Sequence, residues 1–304
     1  MPRRPPSLRS RLLHPLLACV VACAVALFHF STTTTTNPNP TKHACDARLR
    51  RWIKSLGGRV HAGVSVTDVR GVGGGRGLVV TAPGGLARDT RFLSLPLHVL
   101  VTPHVFAALR ERADASLPRP VNDLDALALW IGSERARGAS ARYAPYVECL
   151  PRDGADTAFR WSDDELAARL RDAEARRAAL AMREDVARRA AALADPLAAT
   201  YAVDVSLVQS RVFSAAALSK ASGVWVTSPA LVPLADMMNL APPPRNATAD
   251  CRTNDASTRF DCFALCDLAF GAELLAPLAG VSAHADAHAR RDFVWAHYGF
   301  ESKV

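Results

Sequence analysis

The chain is organised around one short stretch, LVPLADMMNLAPPP at Leu231–Pro244. Its apolar beginning favours burial, whereas its three closing prolines can neither continue a helix nor donate hydrogen bonds to a sheet ladder. Asp236 and Asn239 therefore stand where buried backbone meets a forced turn. On local grounds they cap and end a short helix, which is the usual role of Asp and Asn at such edges.

The same stretch resembles the LVPLADMxNH signature of SET-domain protein methyltransferases, the class that includes Rubisco large-subunit methyltransferases and actin-histidine methyltransferases. Leu240 stands where that signature has histidine. The resemblance implies an α+β chain with the SET fold, in which small twisted β-sheets are split by an inserted helical region at about residues 104–222. It also implies that five consecutive residues contact S-adenosylmethionine: Asp236, Met237, Met238, Asn239 and Leu240.

A glycine-rich turn separates two predicted strands, VSVTDV at Val64–Val69 and GLVVTA at Gly77–Ala82. Strict GxGxxG spacing fails and a strand follows instead of a helix, so a nucleotide-binding loop is disfavoured and a hairpin is the simplest interpretation. The turn ends in GRGL, which resembles the family's GxGLVAT turn beside the methionine part of S-adenosylmethionine. A glycine suits such close approach because it has no Cβ. The resemblance therefore adds four cofactor candidates: Gly75, Arg76, Gly77 and Leu78.

Three further segments predict secondary structure. RFLSLPLHVLVT at Arg91–Thr102 predicts an edge strand with a break at its proline, since proline is confined to sheet edges and strand ends. LDALALWIGSERAR at Leu124–Arg137 predicts a helix from apolar residues three or four positions apart. Ser162 and Glu165 form a capping box, from which helical periodicity runs on to Asp195-Pro196.

A second helix, from about Val205, carries VQSRVF at Val208–Phe213. On local grounds Arg211 lies on the exposed face of this helix, which is the commoner fate of arginine. The hexapeptide resembles the family's VxSRxF, whose arginine lies near the cofactor carboxylate. A planar guanidinium can bind a carboxylate through two parallel hydrogen bonds, so Arg211 joins the cofactor candidates.

The C-terminal part predicts strands at Phe260–Leu268 and Glu273–Leu278, joined at Gly271, and a helix at His284–Tyr298. It then reads YGF, the tripeptide that also closes the family's catalytic domain. This match adds three cofactor candidates: Tyr298, Gly299 and Phe300.

The catalytic residue is left unassigned by the sequence. Alignment with the family's GEEIxxxYG places Leu278 where the catalytic tyrosine is expected, and a leucine side chain forms no hydrogen bond. The family's Ser-Asn pair is also missing from Val281–His284. Tyr298 is an alternative, although packing against the cofactor or the core explains it more simply. No metal site is predicted, because His284 and His288 have no carboxylate or cysteine partner at fixed spacing.

The first residues are typical of a targeting or anchoring segment. Basic MPRRPPSLRSR leads into an apolar run whose length is at the low end for a membrane span and above that of a signal-peptide core. We predict an uncleaved signal-anchor at residues 1–30 that contacts the membrane through residues 12–30, with the later domain in the lumen of the secretory pathway. A cleaved signal, or a transit peptide for a plastid or other organelle, is the alternative, because no Asp or Glu precedes Asp46. A Thr/Pro-rich linker is assigned to 31–45 and the SET domain to 46–304.

The net charge of +8 is spread along stretches that mix Arg with Asp and Glu, which indicates a solvated surface. No nucleic-acid-binding motif is recognisable, so nucleic acid is not an expected partner. Five cysteines follow the anchor, so at most two disulfides can form and one thiol remains. Asn246-Ala247-Thr248 is an N-glycosylation sequon, which matters only if the domain is luminal.

Together with the resemblance, these features predict an S-adenosylmethionine-dependent methyltransferase that modifies a lysine of a protein substrate. Methyl transfer from a sulfonium to an amine is a displacement, so the protein mainly has to align donor and acceptor, and no metal is needed. Leu240 and Leu278 favour an alternative, a catalytically impaired SET-fold binding module. A protein-histidine methyltransferase is a second alternative, and a membrane-anchored luminal interaction protein is a third.

Overall fold

The computed structural model describes residues 40–69, 75–112, 116–218, 225–241, 246–254, 256 and 258–277. Outside these ranges lie the expected signal-anchor, Leu278, and the C-terminal helix with Tyr298, Gly299 and Phe300. The predictions made for those residues stay predictions.

Strands form where β-branched and aromatic residues alternate with polar ones, as in β2, whose side chains alternate between buried and half-buried. Within the described ranges the strands are β1 Arg59–Val60, β2 Val64–Asp68, β3 Arg76–Val80, β4 Arg91–Pro96, β5 Phe213–Leu218, β6 Trp225–Ala230, β7 Asn239–Ala241, β8 Ala249–Thr253, β9 Arg259–Ala264 and β10 Glu273–Pro277.

These strands are arranged in small sheets. One sheet has the order β1-β4-β9-β8, a second has the order β2-β3-β10-β7, and β5 and β6 form a hairpin. All described pairings are antiparallel except that of β7 with β10, which is parallel. Because β10 lies between β3 and β7, it brings the GRGL turn and the LVPLADMMN segment to the same part of the second sheet.

The prediction of an edge strand at Arg91–Thr102 is wrong. β4 pairs with β1 on one side and with β9 on the other, so that Ser94 lies opposite both Arg59 and Asp261. The proline is compatible with this inner position because Pro96 ends the strand, and a 3-10 turn follows at Leu97–Val99.

The described helices are α1 Pro40–Ser55, α2 Pro103–Arg112, α3 Asp123–Arg137, α4 Ala144–Val147, α5 Asp163–Arg169, α6 Ala173–Ala191 and α7 Leu197–Arg211. The α1 helix begins within the segment assigned to the linker. The helices α2 to α7 lie between β4 and β5 in the chain, and α3 packs against α2, α4 and α7. As a result α3 is buried from Asp125 to Glu134.

The capping box is confirmed, but the single long helix expected after it is two helices. The Ser162 hydroxyl accepts from the Glu165 N–H and the Glu165 carboxylate accepts from the Ser162 N–H, which starts α5. Leu170 is extended and fully buried, so α5 stops there. Asp172 then accepts hydrogen bonds from two N–H groups of the first turn of α6 and starts the next helix.

Two disulfides join the described cysteines, Cys45 to Cys149 and Cys251 to Cys262, while Cys266 is buried and belongs to neither bridge. The bridges match the expected upper limit of two. No helix in the described ranges combines the length and apolar character needed to cross a bilayer.

Candidate functional site

The LVPLADMMN segment enters the site through a bridge and a tight turn. Leu231 exchanges two backbone hydrogen bonds with Val101, at N···O distances of 2.9 and 3.0 Å. Leu234 then has φ 74°, a left-handed conformation that costs a non-glycine residue about 1 kcal/mol or more. The 3-10 turn Ala235–Met237 follows and leads directly into β7. Asp236 therefore lies in a buried turn, whereas its local sequence predicted that it would cap a short helix.

Asp236 is a buried carboxylate of which one oxygen is hydrogen-bonded. The Tyr146 hydroxyl donates a hydrogen bond to its Oδ2, and its Oδ1 has no partner among the described residues. Burial raises the pKa of Asp236 to about 6, although Arg211, the Tyr146 hydrogen bond and Arg76 each oppose the rise. Burial and the neighbouring carboxylate raise the pKa of Tyr146 well above its usual value, so this tyrosine stays a hydrogen-bond donor. The open Oδ1 can accept one further donor from a ligand.

Arg211 ends α7 and lies inside the site, not on the exposed helix face. Its Nη1 donates to the backbone carbonyl of Asp236 at 2.6 Å and contacts the Met237 sulfur at 3.6 Å. Its Nε is buried and has no hydrogen-bond partner in the described part of the chain. A guanidinium that is held at one corner and open at another is suited to binding an anion such as a carboxylate.

Arg76 is the second cation of this cluster. It stands at the start of β3, and its Nη2 donates to the Cys149 carbonyl at 2.6 Å. Burial lowers the pKa of Arg76, and the nearby charge of Arg211 lowers it further. Asp68, opposite Arg76 in the strand register, and Asp236 act in the other direction. Two guanidinium groups thus lie close to the single buried carboxylate of Asp236.

A second polar contact joins the LVPLADMMN segment to β10, and the GRGL turn packs against it. The Asn239 side-chain amide donates to Glu273 Oε1 at 2.6 Å, and burial raises the pKa of Glu273, opposed by this hydrogen bond. A Cβ at position 77 would lie 2.4 Å from Glu273 Oε1 and 3.1 Å from Asn239 Nδ2. Gly77 is therefore required by this packing, because any larger side chain would displace the pair.

The other predicted cofactor residues differ in what they contribute. Leu78, Met237 and Met238 are buried and pack in the hydrophobic core, and Leu240 is half-buried against it. Gly75 is exposed with φ +99°, and its carbonyl accepts from the Val69 N–H at 2.8 Å. The structure thus brings two sets of candidates together, Arg211 with Asp236 and Met237, and Gly77 with Asn239.

Sequence reasoning missed two members of the site, Tyr146 and Glu273. Tyr146 lies in α4 and reaches a carboxylate 90 residues further along the chain. Glu273 stands in the segment that aligns with the family's GEEI, which was the available signal for it. Tyr146 stands in YAPYVECLP, which resembles the family's xxPYLxxLP and was the available signal for it.

No protein-family model and no curated protein matches the chain. Solved structures do share its fold. The SET domain of LSMT bound to lysine and AdoHcy matches with a TM-score of 0.64 at 17% identity, over 87% of this chain and 58% of that one. Rubisco LSMT bound to AdoMet matches with a TM-score of 0.62 at 17% identity, over 85% of this chain and 57% of that one. Rubisco LSMT bound to sinefungin and monomethyllysine matches with a TM-score of 0.61 at 17% identity, over 85% of this chain and 56% of that one.

These matches show that the chain has the SET fold, as its sequence predicted. The chain spans less than two thirds of the length of these solved chains. At 17% identity the similarity establishes the fold alone.

Proposed function

We propose that this protein is an S-adenosylmethionine-dependent methyltransferase that acts on a lysine side chain of a protein substrate. The observation that carries the proposal is the buried cluster of Arg211 and Asp236, each with one polar atom open, within a SET fold. Of the similar SET structures, one was solved with AdoHcy and lysine, one with AdoMet, and one with sinefungin and monomethyllysine, which supports the same ligand classes here.

The residues present fit the amino-acid end of S-adenosylmethionine. Its carboxylate is an acceptor that suits the open Nε of Arg211, and its ammonium is a donor that suits the open Oδ1 of Asp236. Met237 supplies buried apolar surface beside these polar groups, with its sulfur 3.6 Å from Arg211 Nη1, and Leu78 is buried in the neighbouring strand β3. When bound, the cofactor supplies a methyl group on a positively charged sulfur.

The chain's own residues then perform binding, orientation and exclusion of water. Tyr146 keeps its proton and holds one side of the Asp236 carboxylate, while the backbone of the same turn holds Arg211. An apolar channel disfavours the ammonium form of a target lysine, which must be neutral to attack. The family's catalytic tyrosine position is Leu278, outside the described residues, so no residue is assigned to deprotonation.

The second candidate is a SET-fold binding module that keeps the cofactor but transfers no methyl group. Leu240 favours it, because this residue packs against the core where the family's signature has a polar histidine. Transfer to histidine in place of lysine is the remaining alternative, and the assay below separates the three.

We also propose that the domain is luminal and tethered through residues 12–30, with a SET domain at 46–304 and its helical insertion at about 104–222. The two disulfides support this location, since disulfides persist in oxidising compartments and are rare in the cytosol. A plastid or other organelle is the alternative. The helices between β4 and β5 support the position of the insertion.

Calorimetry of the full chain with S-adenosylmethionine tests the proposal. We expect binding, and we expect Arg211→Lys to weaken it about tenfold or more, because lysine keeps the charge but loses the planar set of donors. Arg252→Lys is the matched control, since Arg252 is exposed, pairs with Asp250 at 2.8 Å and lies over the Phe263 ring at 5.6 Å from its centroid. Absence of heat at millimolar cofactor would contradict both candidates.

Transfer of a labelled methyl group to a protein extract then separates the candidates. Labelled methyl-lysine in the hydrolysed product supports the main proposal, and labelled methyl-histidine supports the alternative target. Cofactor binding without any methyl transfer supports the second candidate, the SET-fold binding module.

A further inference from the structure

The Asn246-Ala247-Thr248 sequon lies in the connection between β7 and β8. It is the only Asn-Xaa-Ser/Thr triplet of the sequence in which the middle residue is not proline. Asn246 is exposed, whereas Thr248 is half-buried. The Asn246 side chain makes no hydrogen bond to any residue that the structure describes.

The threonine of the triplet has a structural use of its own. Its backbone N–H donates to the Leu275 carbonyl at 3.0 Å, and its hydroxyl accepts from the Leu275 N–H at 2.8 Å and donates to the Glu273 carbonyl at 2.9 Å. Thr248 thus attaches the start of β8 to β10. This use explains the threonine but leaves the exposed asparagine two residues earlier unexplained.

A second observation in the same hairpin indicates the compartment. Cys251 and Cys262 are directly opposite each other in the register of β8 and β9, with Cα atoms 4.1 Å apart, and they form a disulfide. A second disulfide joins Cys45 and Cys149. Two bridges in one domain indicate an oxidising compartment such as the endoplasmic reticulum lumen, where Asn-Xaa-Thr triplets are glycosylated.

We propose that Asn246 is an N-glycosylation site of this protein. The donor is a lipid-diphosphate-linked oligosaccharide, used by the host's transferase. A bond forms between the Asn246 amide nitrogen and the anomeric carbon of the sugar, the bond from that carbon to the phosphate breaks, and the lipid diphosphate leaves with the electron pair. The amide gives up one proton to a base. The inference is independent of methyl transfer, because it concerns a surface residue and the compartment.

The full chain expressed in cells with a secretory pathway provides the test. We expect peptide N-glycosidase to increase its gel mobility, and mass spectrometry to place the glycan on the peptide that contains Asn246. Asn246→Gln removes the acceptor at an exposed position and is expected to abolish the shift. Thr248→Ser keeps both the triplet and the hydroxyl that bonds β10, and is expected to retain it.

A non-reducing peptide map of each variant checks that both disulfides have formed, which separates loss of the glycan from loss of the fold. An unmodified Asn246 in the wild-type chain overturns the inference, whether its cysteines are found bridged or reduced. S-adenosylmethionine binding by Asn246→Gln, measured by calorimetry, reports on the proposed function separately, so that either proposal can fail alone.

Discussion

At the scale of single residues, burial changes the chemical properties of Asp236. An exposed Asp at this turn would be an ordinary acceptor for backbone N–H groups. Surrounded by core residues, it is instead a carboxylate whose pKa rises to about 6 and which depends on Tyr146 and two arginines for its charge. In the same site Arg211 has one nitrogen, Nη1, that is hydrogen-bonded to the backbone and another, Nε, that has no described partner.

Asp236→Asn is expected to change the pH dependence of stability. A raised carboxyl pKa means that the folded state binds the proton more tightly than the unfolded state, so this contribution is full below about pH 3.8 and is lost as pH rises to about 6. The shift corresponds to about 3 kcal/mol of unfolding free energy. Asn does not titrate. Between about pH 4 and pH 7 the variant should therefore lose less unfolding free energy than the wild type, as measured by urea unfolding.

Burial also raises the pKa of Asp204 to about 6, so Asp204 titrates over the same pH range in both proteins. The contribution of Asp236 is therefore read from the difference in unfolding free energy between the variant and the wild type. The matched control is Asp185→Asn, which changes an exposed aspartate that pairs with Arg188. Parallel stability curves for wild type and Asp236→Asn would contradict the prediction.

Tyr146→Phe is expected to lower the free energy of unfolding by about 2 kcal/mol, because it removes a donor from a buried charged acceptor. Tyr143→Phe is the control in the same region: its hydroxyl donates to the neutral His98 carbonyl at 3.2 Å, and its loss should cost about 1 kcal/mol. Only Tyr146→Phe should also weaken S-adenosylmethionine binding. Equal cofactor affinity in both variants would limit Tyr146 to a structural role.

At the scale of elements, tertiary packing divides what looks like one helix into α5 and α6. The side chains around the break form their own apolar cluster: Ala158, Trp161, Leu166, Leu170, Ala175 and Ala179. Leu170 packs in this cluster in an extended conformation, and Asp172 caps the start of the next helix. Continuous periodicity cannot reveal such a break.

Ser162→Ala is expected to destabilise the protein by about 1 kcal/mol, because it leaves the Glu165 N–H at the start of α5 without its cap. Ser162→Thr keeps a capping hydroxyl and should lie close to wild type. Thermal or urea unfolding of the three proteins measures the difference. A Thr variant as unstable as the Ala variant would show that packing, not capping, decides this position.

At the scale of the whole molecule, the Cys45–Cys149 disulfide ties α1 to the wall of the site. Cys149 follows α4, and its carbonyl accepts from Arg76 at 2.6 Å, while Tyr146 in α4 holds Asp236. The bridge therefore fixes α1 and one side of the candidate site together.

Removing this disulfide is expected to cost more stability than removing the other. It closes a span of 104 residues, against 11 for Cys251–Cys262, which corresponds to loop-closure terms of about 5 and about 3 kcal/mol. Double Cys→Ala variants of each pair, compared by urea unfolding, test the order. Equal losses, or a larger loss for the short loop, would contradict it.

The sequence by itself determined the local structure: strands β2 and β3, the helix α3, the capping box, the upper limit of two disulfides and, through LVPLADMMN, the SET fold. The strands, the helix and the capping box depend on residues close together in the chain, where alternation, helical spacing and turn chemistry act directly, whereas the disulfide limit follows from the number of cysteines and the fold from the resemblance of one short segment.

Tertiary structure decided everything that depends on contacts across the chain. Asp236 meets Tyr146 from 90 residues away, Arg211 from 25, and Asn239 meets Glu273 from 34. The same holds for β4, whose inner position follows from pairing with β9. Local patterns specify which groups are present, but burial and partner choice are set only when distant segments pack, because the pKa and hydrogen bonding of a group depend on what surrounds it.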